Sequence, residues 1–315
     1  MRARILTTAM FAGVFAGVLP AADSQMLGLV MPDAKVVAGV NAAQAKNSPF
    51  GQYVLGLAHA NDAEFQKLIA QTGFDPTRDV TEVLAATNGT PNTGLALARG
   101  TFDVASITAF ATQQGGLTEM YQGATILEDP KQTHGIAFLN STLVAAGDLA
   151  SVKAAIGRQT VPAALPAALT SQVNQWSTTQ DAWVVTTVPP STLHQVPNAP
   201  EIPGVGANAA PAFQNIQQAG AGVKLGAMIV VTAQAQAATA QDATQMAGAL
   251  QMLVSFAQLQ VSKTNPQQAS MLNALSINAQ GNLLNITASL PQDQLQQLIK
   301  QGPAAQREHR VIRKM

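Results

Sequence analysis

Apolar and polar positions repeat with a period of two in some stretches of this chain and with a helical period in others, and the two kinds take turns. In residues 228–236, Ile229, Val231, Ala233 and Ala235 fall on one side of an extended chain, and Val230, Thr232, Gln234 and Gln236 on the other. That is the pattern of a strand packed on one face. Residues 93–99 and 143–147 predict further strands, and residues 223–236 predict one long strand. Residues 275–279 and 283–288 flank Gly281-Asn282, and residues 135–139 and 142–146 flank Asn140-Ser141. Both arrangements predict tight hairpins. Helical spacing predicts helices over 103–114, 148–158, 241–261 and 292–300. Asp103 and Asp148 stand where N-caps stand, Asn61 with Glu64 and Thr239 with Asp242 have capping-box spacing, and Gly73 follows an apolar stripe as a helix stop. In 241–261, Met246, Leu250, Leu253, Phe256, Ala257 and Val261 recur at helical intervals, with Met252, Val254 and Leu259 beside them. So broad an apolar face predicts a helix well buried between layers. Together these elements predict an α+β fold: antiparallel sheets, each with helices packed on one face.

The elements recur. Asp33-Ala-Lys-Val-Val-Ala-Gly-Val40 matches Asp181-Ala-Trp-Val-Val-Thr-Thr-Val188, and each copy leads on to strand, helix, hairpin and closing helix. The expected organisation is two similar modules, 25–160 and 161–302, arising by internal duplication. Trp183 falls in the opening strand of the second module and is expected to be buried, whereas Trp176, before a polar Ser-Thr-Thr-Gln run, is expected to be more exposed. Residues 188–212 hold six of the 17 prolines and predict an irregular connection.

Outside the modules lie two terminal segments. Arg2 and Arg4 precede residues 5–19, which carry no charge, and then come Pro20, Ala21, Ala22, Asp23 and Ser24. Positive, apolar and small residues in this order predict a signal peptide over residues 1–24, cut after Ala22 or Ser24. The apolar run is too short for a span, and no second one follows, so no stable membrane span is expected after cleavage. Residues 303–315 carry Arg307, Arg310, Arg313 and Lys314 around Val311 and Ile312, and predict a disordered basic tail.

Composition narrows the function. Charged residues are 11% of the chain, and 17 basic side chains balance 17 acidic ones. A nucleic-acid partner is therefore not expected, because phosphate contacts need a basic surplus. Cysteine is absent, which removes disulfides, thiolate nucleophiles and Cys-based metal sites, and with four His no His-rich metal site is expected. No cofactor and no metal is expected. The sequons at Asn88, Asn140 and Asn285 carry little weight in an Ala- and Gln-rich, Cys-free chain of bacterial character.

Gly73-Phe-Asp-Pro-Thr-Arg-Asp-Val80, Leu97-Ala-Arg-Gly-Thr-Phe-Asp103 and Tyr121-Gln-Gly-Ala-Thr-Ile126 come in this order. Together they resemble a group of uncharacterised exported bacterial proteins with a duplicated α+β module. The resemblance covers residues 30–160 well and the second half more loosely. It implies the fold and an exported location, periplasmic or extracellular, and brings no activity or site residue with it.

Four sets of residues could carry chemistry. Asp75, Arg78, Asp79, Arg99 and Asp103 could form an anion- or sugar-binding cluster; the plainer reading has Arg99 pinning the 75–80 turn to a strand end through a carboxylate. Glu128, Asp129 and His134 could do acid–base work, against the plainer reading of a solvated hairpin. Leu193, His194, Val196, Glu201 and Ile202 could form a lid or partner-binding loop, and the basic tail could touch anionic lipid. No nucleophile elbow, zinc-binding helix, phosphate loop or dinucleotide fingerprint occurs. The expected function is a non-enzymatic binding or interaction protein of the cell envelope, with an envelope protein as partner. The alternative is an exported hydrolase whose site assembles from distant residues. An apolar patch or groove would favour the first, and a cleft with converging polar groups of shifted pKa the second.

Overall fold

The computed structural model describes residues 22–61, 63–187, 215–261 and 272–300. The expected leader as far as residue 21, the Pro-rich segment with its candidate lid residues, Asn61 with Glu64 as a capping pair, and the expected basic tail lie outside the described side chains.

In chain order the first half holds α1 (Ser24–Leu29), β1 (Val36–Val40), α2 (Ala42–Asn47), α3 (Pro49–Asn61), α4 (Ala63–Thr72), α5 (Pro76–Asp79), β2 (Val80–Thr87) and β3 (Leu95–Gly100). It continues with α6 (Val104–Gln113), β4 (Leu117–Tyr121), β5 (Ala124–Glu128), β6 (His134–Asn140), β7 (Leu143–Asp148) and α7 (Leu149–Arg158). The second half holds α8 (Ala167–Thr179), β8 (Ala182–Thr186), β9 (Ile216–Lys224), β10 (Met228–Ala237), α9 (Ala240–Val261), β11 (Leu275–Gln280), β12 (Leu283–Pro291) and α10 (Gln292–Lys300).

The antiparallel α+β architecture is present. The sheets of the two halves meet edge to edge through β1 and β8, forming one sheet in the order β11-β12-β10-β9-β8-β1-β2-β3-β7-β6-β5-β4. Outward from that seam both halves run through three strands and then the two strands of a hairpin in reverse; the first half adds the β4–β5 hairpin at its edge. At the seam Val37 pairs with Val185, its counterpart in the aligned sequence segments, and both are fully buried.

The caps act as their sequence positions predict. Asp148 accepts from the Ser151 amide at 2.9 Å, Asp103 accepts from the Ser106 amide at 3.1 Å, and Thr239 and Asp242 each accept from the other's amide at 3.1 Å. Gly73 ends α4 with a φ of +70°, which glycine adopts without steric cost. The expected long strand over 223–236 is instead a hairpin: β9 and β10 are separate strands, joined across Leu225, Gly226 and Ala227.

Side-chain alternation sends one strand into two cores. Leu143 and Ala145 of β7 enter the main cluster with Leu84, Leu97, Ile126 and residues of α1, α7 and α8. Val144 between them enters a smaller cluster on the other face with Val80, Phe102, Leu127 and Phe138, against which Val104 and Ile107 of α6 pack. Helices thus cover both faces of the first half, where one covered face was expected. In the second half, Ala243, Met246 and Ala247 of α9 pack with Ile216, Ala237 and Leu284.

Both tryptophans are core residues. Trp183 is 7% exposed, as its strand position predicts, and Trp176 is 3% exposed, against expectation. Trp176 lies on α8, whose Leu169, Val173, Trp176 and Ser177 make one buried face, and its indole N–H donates to Gln172 Oε1 at 3.2 Å. Each ring covers backbone that has no side chain. A Cβ on Gly39 would lie 2.5 Å from the Trp183 ring, and Cβ atoms on Gly220 or Gly222 would collide with Trp176 or Gln180.

Candidate functional site

The five charged residues singled out from the sequence do not converge. Asp75 caps α5, accepting from the Thr77 amide at 2.9 Å and the Thr77 hydroxyl at 2.7 Å. Asp79 accepts from the Asp75 amide at 2.8 Å and pairs with Arg78 at 2.7 Å, and Arg78 also donates to the Gly73 carbonyl. The pairing with Arg78 is the main reason the Asp79 carboxyl is held below its usual range. Asp103 is occupied as the cap of α6.

Arg99 does not reach the turn. Strand pairing sets it opposite Glu82, and its guanidinium extends to α1 instead, meeting Asp23 at 2.8 Å and Gln25 Oε1 at 3.1 Å. The turn is held by other means. The Thr101 amide donates to the Asp79 carbonyl at 3.0 Å, and Lys46 of α2 donates to the carbonyls of Arg78 and Val80. Desolvation lowers the Lys46 pKa more than Asp79 and Asp75 raise it. No local pattern marks Lys46 for this contact, since it comes from 32 residues upstream.

Arg99, Asp23 and Glu82 make a network that no local sequence pattern marks, since Asp23 lies at the edge of the expected leader. The Asp23 amide donates to Glu82 Oε1 at 3.2 Å, and the Ala22 amide to Ser177 Oγ at 3.1 Å. Burial, and then the Asp23 charge, push the Glu82 carboxyl up, while the Asp23 amide and Arg99 pull it down. A cavity of about 180 Å³ opens beside these groups, lined by Ala22, Glu82, Ser177, Gln180 and Trp183 among others.

Glu128, Asp129 and His134 also separate. Asp129 turns back on its hairpin and accepts from the Thr133 and His134 amides at 2.7 and 2.8 Å. His134 stands at a hollow of about 330 Å³ with Asp148, which is engaged by the Gly94 amide at 3.0 Å as well as by its helix. Glu128 points inward and is 4% exposed. Its Oε2 accepts from Gln132 Nε2 at 3.1 Å; neighbouring Glu119, and then burial, push its pKa up, while Lys153, paired with Glu119 at 2.7 Å, and then Glu128 bring that of Glu119 down. Neither glutamate lines either cavity.

The most distinctive surface is on α9. Its inner face follows the sheet, with Val254 and Ala257 half-buried and Gln251 donating to the Ile277 carbonyl at 2.8 Å, but an outer stripe of its second half is uncovered. Met252 is 75% exposed, Phe256 62% and Leu253 41%. Met252 and Phe256 are four residues apart and so share one side of the helix. The broad apolar face that predicted burial therefore splits into a buried face and an outer stripe. Asp242, in the first turn, is the single charged residue of this 22-residue helix, so the stripe has no charged rim from its own helix. Among the described residues no helix is long and apolar enough to cross a membrane.

No protein-family model matches the chain, and no curated protein matches it significantly. Solved structures of a protein called TP0453 share the fold. Crystal form III matches at a TM-score of 0.54 with 13% identity, covering 88% of this chain and 98% of that one. Form I gives 0.51 at 13% identity over 87% and 96%, and form IV gives 0.51 at 12% over 91% and 99%. The likeness spans nearly the whole of both chains and, at this identity, is a likeness of fold.

Proposed function

We propose that the chain is an exported, non-enzymatic binding protein of the cell envelope that takes an apolar surface of an envelope protein on the outer stripe of α9. The observation that carries the reading is the exposure of Met252, Leu253 and Phe256 on a helix whose other face is already packed. Large apolar side chains grouped on a surface mark interaction sites more often than singly scattered ones do. Recognition there would proceed by burial, since the helix offers no charge beside the stripe. Export rests on the order of positive, apolar and small residues before Asp23. The duplication of the module is supported by the matched strand order and by the self-pairing of Val37 with Val185.

The test is a pull-down from envelope extract with the purified chain and with its Met252→Ser/Phe256→Ser variant, quantified by mass spectrometry. Burying both side chains contributes about 2–4 kcal/mol, so retention of a true partner should fall roughly 30-fold or more in the variant. Equal recovery of every envelope protein by both forms would refute the reading.

A further inference from the structure

We infer that processing cuts the bond between Ala22 and Asp23, and that the new amino terminus stays seated against Glu82. The inference rests on the exported reading above and selects between the two cleavage points that the sequence allows. Water adds across the Ala22–Asp23 peptide bond, leaving a carboxylate on Ala22 and an α-ammonium on Asp23; the agent is a processing peptidase of the envelope.

Asp23 is built into the fold. Its Oδ1 accepts from the Gln25 and Met26 amides at 2.8 and 3.1 Å, starting α1, and its Oδ2 pairs with Arg99 at 2.8 Å. The helix it starts is anchored by Met26 and Leu29, which are 0% and 2% exposed. A cut after Ser24 would remove this cap and strip Arg99 of its ion-pair partner from α1. A cut before Asp23 removes neither.

The charge balance of the network points the same way. Asp23 and Glu82 are two carboxyl groups facing one guanidinium, that of Arg99, so the cluster carries a net negative charge when all three are ionised. These are also the charged groups that face Glu82; the cavity beside it is otherwise lined by Ala22, Gly39, Asn41, Thr81, Ser177 and Gln180 among uncharged neighbours. The Asp23 nitrogen already donates to Glu82 Oε1 at 3.2 Å. Once it is an ammonium, that contact becomes an ion pair and the cluster becomes neutral. The cavity of about 180 Å³ leaves the added protons room for water.

Intact-mass measurement of the exported protein tests the cleavage point. A chain starting at Asp23 is expected. A start at Gln25, at any other processed residue, or at Met1 in the exported protein overturns the inference and leaves export standing; an intact Met1 start found only in the cytosol overturns both. Melting curves test the ion pair. At pH 7 the chain starting at Asp23 should melt a few degrees above a chain extended to start at Ala21. The gap should close at acid pH, as Glu82 takes up a proton, and it should vanish in Glu82→Gln. A gap that persists in Glu82→Gln would show that Glu82 does not hold the terminus.

Discussion

Replacing Gly39 by Ala perturbs the seam between the two half-sheets at one atom. Gly39 lies opposite Trp183 in the β1–β8 pairing, and the added methyl would lie 2.5 Å from the Trp183 ring, with two further ring atoms within 2.9 Å. Real side-chain contacts do not approach so closely, so the ring or the strand must move. Overpacking of this kind costs about 1–3 kcal/mol. In a Trp183→Ala chain the obstruction is gone. There the same Gly39→Ala change should be neutral or stabilising by about 0.5–1 kcal/mol, because glycine is unfavourable inside a strand. The sign of one substitution thus reverses with the background, and the coupling amounts to about 1–4 kcal/mol. The assay is a set of thermal melts on wild type, both single variants and the double variant. Trp183→Ala alone should cost about 3–5 kcal/mol. At roughly 2–4 °C per kcal/mol, each step is resolvable. Equal losses from Gly39→Ala in both backgrounds would show that the ring does not lie over Gly39, and the packing described for the seam would be withdrawn.

Other outcomes follow from the same contacts. Asp181 is fully buried and accepts from Lys224 at 3.0 Å and the Leu225 amide at 2.6 Å; Asp181→Ala should cost about 1–3 kcal/mol, measurable by denaturant unfolding, because the Leu225 amide loses its acceptor while Lys224, more than a third exposed, can turn to water. Arg99→Ala and Asp23→Ala should be non-additive, with a pair worth about 1 kcal/mol because each side chain is roughly a quarter exposed. Arg99→Ala and Asp79→Ala should simply add, since Asp79 pairs with Arg78. Glu119 and burial raise the Glu128 pKa in the fold, so its protonated form is the favoured one. The stability it contributes is present below the ordinary glutamate range and is lost as pH rises through the raised value. Glu128→Gln should flatten melting temperature against pH in that window, and an unchanged profile would contradict the inward placement of Glu128.

What could be read from the sequence was local. Asp103, Asp148 and the Thr239/Asp242 pair announce helix starts because a capping side chain acts within three residues. Gly281 announces a turn because its φ of +58° suits glycine. What escaped depends on distant partners. α8 begins at Pro166 with no side-chain cap, so nothing local announced it, and the burial of Trp176 followed from β9 presenting glycines beneath its ring. Arg99 finds its carboxylate 76 positions upstream, at a residue beside the expected cleavage points of the leader. The apolar breadth of α9 is legible as a pattern, but a pattern cannot say which part of a broad apolar face meets the sheet. Met246 meets the sheet and Met252 does not.

The claim that α9 presents the binding surface is tested most directly by placing a photo-cross-linking residue at Phe256 and, as a control, at the exposed Gln113 at the end of α6. The cross-linking is done in cells that export the protein. A single envelope protein captured at 256, lost when Met252 is also changed to Ser and absent at 113, is the predicted result. The same products at both positions, or none at 256, would contradict it.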